Sequence, residues 1–161
     1  MTDIKWLVGE IRGRAWPWTL DGADSLASAL HCRLLEERAG RRTYEVPEGS
    51  TMSVYHDGHV VEFIEVTLDV VLNLHLLSLS DYENTKDRFF QKFEDVVAEA
   101  TNVLGPPVFN DGAAAAEFPS DQDAEWLALW HHPCGRIMLE QKHEDKELPL
   151  RLSIVLAPPP Q

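Results

Sequence analysis

The stretch SDYENTKDRFFQKFEDVVAEATNVLGPP, residues 80–107, decides the fold because it predicts one long amphipathic helix. Ser80 or Asp81 is suited to cap its amino end, and Gly105, followed by two prolines, stops it. Glu83 is expected in the first turn, where negative charge meets the helix dipole. The apolar side chains recur on one stripe: Tyr82, Phe89, Phe93, Val96, Val97, Ala100 and Leu104. We therefore predict a helix that packs across a sheet.

The sheet is predicted from hairpin patterns on both sides of this helix. Residues 32–48 form two extended runs, and residues 51–68 form two more around Asp57-Gly58, a dipeptide suited to a tight hairpin. Alternating apolar positions predict three further strands, in residues 125–142 and 148–157. Residues 68–80 either prolong a strand or form a connection, and the pattern does not decide between them.

Two short helices are predicted at the amino end. The first has apolar residues at helical spacing behind Thr2 and Asp3 and ends at Gly13, and the second starts at Thr19 although Gly22 weakens it. The complete prediction is an α+β fold: a mainly antiparallel sheet of six or seven strands, two short N-terminal helices, and one long helix packed across the sheet.

The length of 161 residues is typical of one domain, so we expect a single domain over residues 1–161 with a disordered tail at 158–161. Cys32 and Cys134 fit a reduced intracellular protein, although a bridge between them stays open. The amino terminus lacks the pattern of a secretory signal, and no apolar run is long enough to span a membrane. We therefore expect a cytoplasmic location and no membrane partner.

Charge bounds the choice of partners. The chain has 14 basic and 27 acidic side chains, a net charge of −13. Nucleic-acid binding needs clustered lysine and arginine, so this composition argues against a broad phosphate-binding surface. The acid surplus either serves solubility alone or steers the protein toward a basic partner.

The cluster WHHPCGR, residues 130–136, raises the question of a metal site, since His131, His132 and Cys134 lie within four residues. A zinc deaminase site would pair His-x-Glu with Pro-Cys-x-x-Cys, but position 137 is Ile137 and the chain has no His-x-Glu. Proline and glycine between two apolar runs are typical of a hairpin connection. We predict a turn and no bound metal.

Other sequence signatures of catalysis are missing. The chain has no Gly-x-Ser-x-Gly elbow, no Gly-rich phosphate loop and no His-Glu-x-x-His motif, so we predict no catalytic residues and no cofactor. Asp121 and Asp123 could serve in acid–base chemistry, but no apolar pocket pattern surrounds them to raise a pKa. A solvated acidic face is the favoured interpretation, and a small hydrolase is the minor alternative.

The order of these motifs resembles a family of small actinobacterial proteins found beside polymorphic toxins and regarded as immunity proteins. The resemblance covers nearly the whole chain and rests on Trp16-x-Trp18-Thr19, Leu104-Gly105-x-Pro107, Trp126 and the closing strand LRLSIVLAP. The chain departs from the family in the double proline after Gly105 and in the long hydrophobic segment from Leu68 to Leu79. The resemblance implies a protein that binds and neutralises a cognate toxin inside the producing cell, and it brings no catalytic residues.

Acidic residues are the predicted toxin-binding surface. They fall in two stretches, a Gly- and Pro-containing loop expected to be exposed and mobile, and the turn before the last strand: Asp111, Glu117, Asp121, Asp123, Glu125, Glu144, Asp145 and Glu147. We expect the two stretches to meet at one end of the sheet and to occlude a basic active-site cleft of the toxin. Replacing Asp121, Asp123 and Glu125 together by Ser is expected to leave the melting temperature nearly unchanged. The alternative function is a chaperone or adaptor for a secreted protein, which would use a broad apolar face.

Overall fold

The computed structural model describes residues 2–145 and 147–160 and confirms an α+β fold with one antiparallel sheet. In these residues the helices are α1 (Ile4–Arg12), α2 (Leu20–Ala29) and the long α3 (Leu79–Leu104). The strands are β1 (Arg33–Arg38), β2 (Arg41–Glu45), β3 (Thr51–His56), β4 (Val61–Val71), β5 (Phe109–Gly112), β6 (Trp126–His132), β7 (Gly135–Lys142) and β8 (Leu150–Ala157). Their order across the sheet is β1-β2-β3-β4-β8-β7-β6-β5.

The predicted count of six or seven strands is wrong, because the described residues form a sheet of eight. The additional strand is β5, which begins the stretch expected to be a loop and pairs along the free edge of β6. Phe109 lies opposite Leu129, and the backbone N–H of Val108 donates to the carbonyl of Leu129 at 2.8 Å. The four residues of β5 include turn-forming Asn, Asp and Gly and show no alternating apolar pattern. Their strand conformation therefore depends on pairing with β6 and not on local propensity.

Helix α3 begins earlier than predicted. Its N-cap is Ser78, whose hydroxyl accepts from the backbone N–H of Asp81 at 3.2 Å, and not Ser80 or Asp81. Asp81 therefore occupies the first turn and Glu83 lies beyond it. The predicted end is confirmed at Gly105, whose φ of 82° is a left-handed value that suits glycine. Ser78, Ser80 and Asp81 can each cap a helix, so the sequence does not fix the first residue of α3. The backbone conformation of the structure identifies Ser78 as the cap.

Residues 68–80, for which the sequence left open a longer strand or a connection, contain both. Strand β4 continues through Val71, and the chain then turns at Asn73, which has a left-handed φ of 60°. A short 3-10 turn, Leu74–Leu76, leads into α3 and buries only Leu74. The connection is thus tight, and most of its leucines face outward.

One face of the sheet carries the main core. The buried stripes of the three helices share this core with alternate residues of the central strands, such as Ile137, Leu139 and Ile154. Gly22, which weakened the prediction of α2, is required there because a Cβ atom would lie 2.3 Å from the carbonyl oxygen of Pro17. Both predicted N-terminal helices are present, with Asp3 and Thr19 as their caps.

The opposite face of the sheet is covered by the strap, which we define as residues 113–124. Beneath it lies a second apolar cluster, formed by Leu127, Leu129, Met138, Val155 and Ala157. Phe118 of the strap packs against this cluster and meets Phe109 edge-on at a ring distance of 6.0 Å. The stretch expected to be an exposed loop therefore closes a sheet that would otherwise expose apolar surface.

Removing the Phe93 side chain tests the predicted buried stripe of α3. Phe93 is 2% exposed, so Phe93→Ala is expected to lower the free energy of unfolding by about 3–5 kcal/mol through lost burial and a residual cavity. Urea denaturation measures the loss. Leu34→Ala, at a 51% exposed position on β1, is the control and should change the value by less than about 0.5 kcal/mol. Equal effects of the two substitutions would contradict this assignment of the core.

Candidate protein-binding surface

The structure separates the eight predicted acidic residues by their surroundings. Two of them hold close ion pairs, at 2.6 Å, with basic side chains of other elements: Asp121 with Arg136 and Glu125 with Lys86. Three are exposed on β5 or on the strap: Asp111, Glu117 and Asp123. Three are exposed in the connection between β7 and β8: Glu144, Asp145 and Glu147. The last group forms the densest exposed set of the eight.

The expectation that both acidic stretches meet at one end of the sheet holds only for part of them. The base of the strap lies beside the β7–β8 connection, because the backbone N–H of Glu125 donates to the carbonyl of Gln141 at 2.8 Å. Asp121, however, reaches Arg136, which lies opposite Ala157 toward the other end of the strands. The strap therefore runs along the sheet and carries its acids away from that end.

Asp121 fastens the strap to the sheet. Its carboxylate accepts two hydrogen bonds from Arg136, from Nη1 at 2.9 Å and from Nη2 at 2.6 Å. The Arg136 side chain is only 5% exposed, and its Nε donates to the carbonyl of Pro158 at 2.9 Å. Hydrogen bonding by Arg136 holds the pKa of Asp121 below its ordinary value. The bidentate pair attaches the strap, and the Nε hydrogen bond attaches Pro158, the first residue of the predicted tail 158–161. Residue 161 of that tail lies outside the described residues.

Glu125 connects the start of β6 to helix α3. Its carboxylate accepts from Lys86 Nζ at 2.6 and 2.7 Å and from Gln141 Nε2 at 3.2 Å. His143 Nδ1 lies 3.5 Å away, and the pKa of His143 is lowered by burial and by the charge of Lys86. The ion pairs of Glu125 and Asp121 argue against the expectation that Asp121, Asp123 and Glu125 can be replaced together with almost no loss of stability, because each replacement would leave a partly buried basic side chain without its partner.

The histidine cluster forms the predicted hairpin turn, which is confirmed between β6 and β7. His132 stacks on Trp16 at a ring distance of 3.9 Å, its Nδ1 accepts from the backbone N–H of Cys134 at 3.0 Å, and its Nε2 donates to the carbonyl of Arg12 at 3.2 Å. Trp18 Nε1 donates to the carbonyl of Cys134 at 2.8 Å. These contacts dock the turn on the connection between α1 and α2. Within residues 2–145 and 147–160, no group of three or more Cys, His, Asp or Glu side chains is placed to hold a metal ion.

A buried charged cluster on the strap side of the sheet was missed by sequence reasoning. Lys142 Nζ lies 3.1 Å from a carboxylate oxygen of Glu140 and 3.3 Å from one of Glu65. Both acids are buried, since Glu140 is 0% exposed and Glu65 is 4% exposed. Burial raises the pKa of Glu140 to about 7, against the attraction of Lys142. An acid inside the apolar run RIMLEQK was the available signal.

An exposed apolar patch was also missed. We call it the 70–79 patch, and it consists of Val70, Leu72, Leu76, Leu77 and Leu79. Ten large hydrophobic side chains are exposed among the described residues, and five of them lie between positions 70 and 79. The hydrophobic run LDVVLNLHLLSLS was the signal, but its lack of regular alternation gave no indication that the side chains stay uncovered.

The chain matches no protein-family model, no curated protein and no solved structure at a significant level. In the part of the chain that the structure describes, none of the helices has the length and apolar character needed to span a membrane.

Replacing Asp121 tests the attachment of the strap. Asp121→Ser is expected to cost about 1–3 kcal/mol of unfolding free energy, because the buried Arg136 loses its charged acceptor while water replaces part of the bonding at a half-exposed site. Asp123→Ser, at an exposed position two residues away, is the matched control. Since the folded pKa of Asp121 is depressed, the difference should be complete above about pH 4 and shrink as the pH falls below it. Equal stability of the two variants would show that the pair contributes nothing.

Replacing Glu140 tests its altered ionisation. The folded state holds the Glu140 proton more tightly than the unfolded chain, since its pKa rises from 4.5 to about 7. The stability of the native protein relative to Glu140→Gln should therefore rise by up to about 3 kcal/mol as the pH falls from about 8 to about 5. Denaturation at the two pH values measures it, with Glu62→Gln at an exposed position of β4 as the control. A difference that does not change with pH would contradict the assignment.

Proposed function

We propose that this protein is a cytoplasmic immunity protein that binds a cognate antibacterial toxin and occludes its active site with an acidic surface. The observation that carries the proposal is the exposed acidic connection between β7 and β8. Glu144 approaches Arg151 only at 3.6 Å, and Asp145 and Glu147 form no ion pair with a described side chain. All three carboxylates are exposed, and Arg151 is the one described side chain that pairs with any of them, so they are accessible to a partner. The resemblance to immunity proteins supports the same function.

The charge of the whole molecule supports a basic partner. A protein of net charge −13 attracts a positively charged cleft at long range and raises the rate of encounter, an effect that salt weakens. Exposed ion pairs contribute little once a complex has formed, about 0–1 kcal/mol each. The acidic connection is thus proposed to determine association rate and choice of partner, and it argues against nucleic acid or anionic membrane as the partner.

Occlusion requires no catalytic group in the inhibitor, so we propose that the protein acts without catalysis. The minor alternative, a small hydrolase, would need an accessible acid or base. Burial raises the pKa of Glu140 to about 7, a value suited to proton transfer, but the side chain is fully buried and lies beside Lys142, out of reach of a substrate. We assign that cluster to the attachment of neighbouring strands.

A chaperone or adaptor for a secreted protein is the second candidate, and the 70–79 patch is the observation that favours it. A chaperone keeps its partner competent for export and leaves the partner active after release, whereas an immunity protein abolishes the partner's activity in the complex. Activity of the partner in the purified complex therefore distinguishes the two.

Co-expression with the product of the neighbouring gene tests the proposed function. That product alone should arrest growth of a bacterial host, and the native protein should restore growth. Replacing Glu144 and Glu147 by Gln and Asp145 by Asn should slow association at low salt and flatten its salt dependence, because steering charges are lost.

The control for this experiment changes charge by the same amount elsewhere. Glu48→Gln, Glu94→Gln and Asp95→Asn are exposed positions outside the β7–β8 connection, and this triple variant should associate nearly as fast as the native protein. Growth that is unaffected by the neighbouring product, or full partner activity in the complex, would reject the immunity function.

A further inference from the structure

We infer that the 70–79 patch is the centre of the partner-binding surface, and that it receives an amphipathic basic segment of the partner. Apolar side chains of that segment would cover the patch, and its lysine and arginine side chains would meet the acids around it. This inference rests on the proposed function and adds the chemistry of the segment that is bound.

The patch is too apolar and too concentrated to be ordinary surface. Leu76 and Leu79 are each 73% exposed, and Leu72 is 62% exposed. Single exposed leucines are normal on soluble proteins, but five exposed large apolar side chains within ten residues of the chain concentrate apolar surface, and such a concentration is typical of an interaction site. Nothing in the described structure covers these side chains.

The patch is built by a defined backbone turn. Asn73 reverses the chain in a left-handed conformation, and the 3-10 turn that follows directs Leu74 into the core. Leu76 then faces outward, and Leu79 is the first residue of α3, directly after its cap. The exposed leucines are therefore held in place by neighbours that are themselves anchored, which reduces the entropy lost on binding.

The patch is continuous with the acidic connection. Val71 lies opposite Leu150 in the pairing of β4 with β8, which places the residues before Leu150 beside those after Val71. Leu148, 43% exposed, extends the apolar surface into the β7–β8 connection, next to Glu147. On the other side, Leu77 lines a groove together with Asp81, Asp87 and Arg88 of α3, where the two acids outnumber the one base. Acids thus border the patch on two sides.

This charge pattern selects the occupant. A second copy of the chain would bring another net charge of −13 and another set of acids against the same rim, and like charges in close contact oppose association. A segment with apolar side chains flanked by lysine or arginine satisfies both parts of the surface. Apolar anchors in the centre supply affinity, and the surrounding charges supply rate and orientation.

A synthetic peptide of leucine and lysine provides the probe. Its leucines are placed at positions i, i+3, i+4 and i+7 so that they form one helical face, and a scrambled peptide of the same composition disperses them. The native protein should bind the first peptide more tightly than the second, and the bound peptide should slow hydrogen exchange in residues 70–79.

Two double variants locate the binding. Leu76→Ser with Leu79→Ser should weaken binding of the amphipathic peptide by about tenfold or more through lost apolar burial. The matched control, Leu34→Ser with Leu35→Ser, removes two half-exposed leucines from β1 and should leave binding unchanged. Thermal unfolding of both variants verifies that each remains folded.

Three results would overturn the inference. Equal binding of the two peptides or equal loss in the two variants would show that the patch is not the site, and a dimer dissociated by the Leu76 and Leu79 substitutions would make a second copy the occupant. These outcomes leave growth protection by the native protein intact, so they are separate from a failure of the proposed function, in which protection itself is absent.

Discussion

The antiparallel pairing of β4 with β8 is the constraint on which the rest of the structure depends. It joins the hairpins formed before α3 to the strands formed after it, with Ile64 opposite Leu156 and Val71 opposite Leu150. Helix α3 lies between the two halves in the chain and packs over the sheet that they complete. The same pairing brings the connection after β4 and the connection before β8 to one end of the sheet, where apolar and acidic surface meet.

The sheet near β6, β7 and β8 must be covered on both faces, and the two covers differ in kind. The helices bury one face chiefly with apolar side chains, and Lys86 of α3 adds an ion pair with Glu125 near its border. The strap covers the other with Phe118 and a salt bridge from Asp121 to Arg136, and buried Glu140 and Lys142 lie on that side. Removing one member of such a pair costs more than the pair contributes in net terms, because the remaining charge stays buried. Part of the acid surplus therefore serves the fold.

The exposed acids of the β7–β8 connection are proposed to determine which kind of partner the surface attracts. Exposed carboxylates in the β7–β8 connection act at long range, whereas the leucines of the 70–79 patch act only on contact. The combination favours rapid encounter with a basic protein followed by burial of an apolar centre. The proposed inhibitor role would use both, since an inhibitor must reach its target before the target acts and must then remain bound.

The sequence by itself determined the elements whose information is local. The stripe of α3, its end at Gly105, the caps of α1 and α2, and the turns at Asp57-Gly58 and Pro133-Cys134 follow from spacing and backbone preference within a few residues. The start of α3 at Ser78 was less clear because neighbouring residues could all cap.

Only the tertiary structure decided the features that depend on a distant partner. Strand β5 exists because β6 offers it an edge, and Asp121 differs from Asp123 because Arg136 lies within reach of one and not the other. The predicted acidic site was correspondingly divided. The leucines of the 70–79 patch could not be recognised as exposed from their sequence, since an apolar run is the same string of letters whether another element covers it or not. Burial is a property of the neighbours that folding brings together, and those neighbours are far away in the chain.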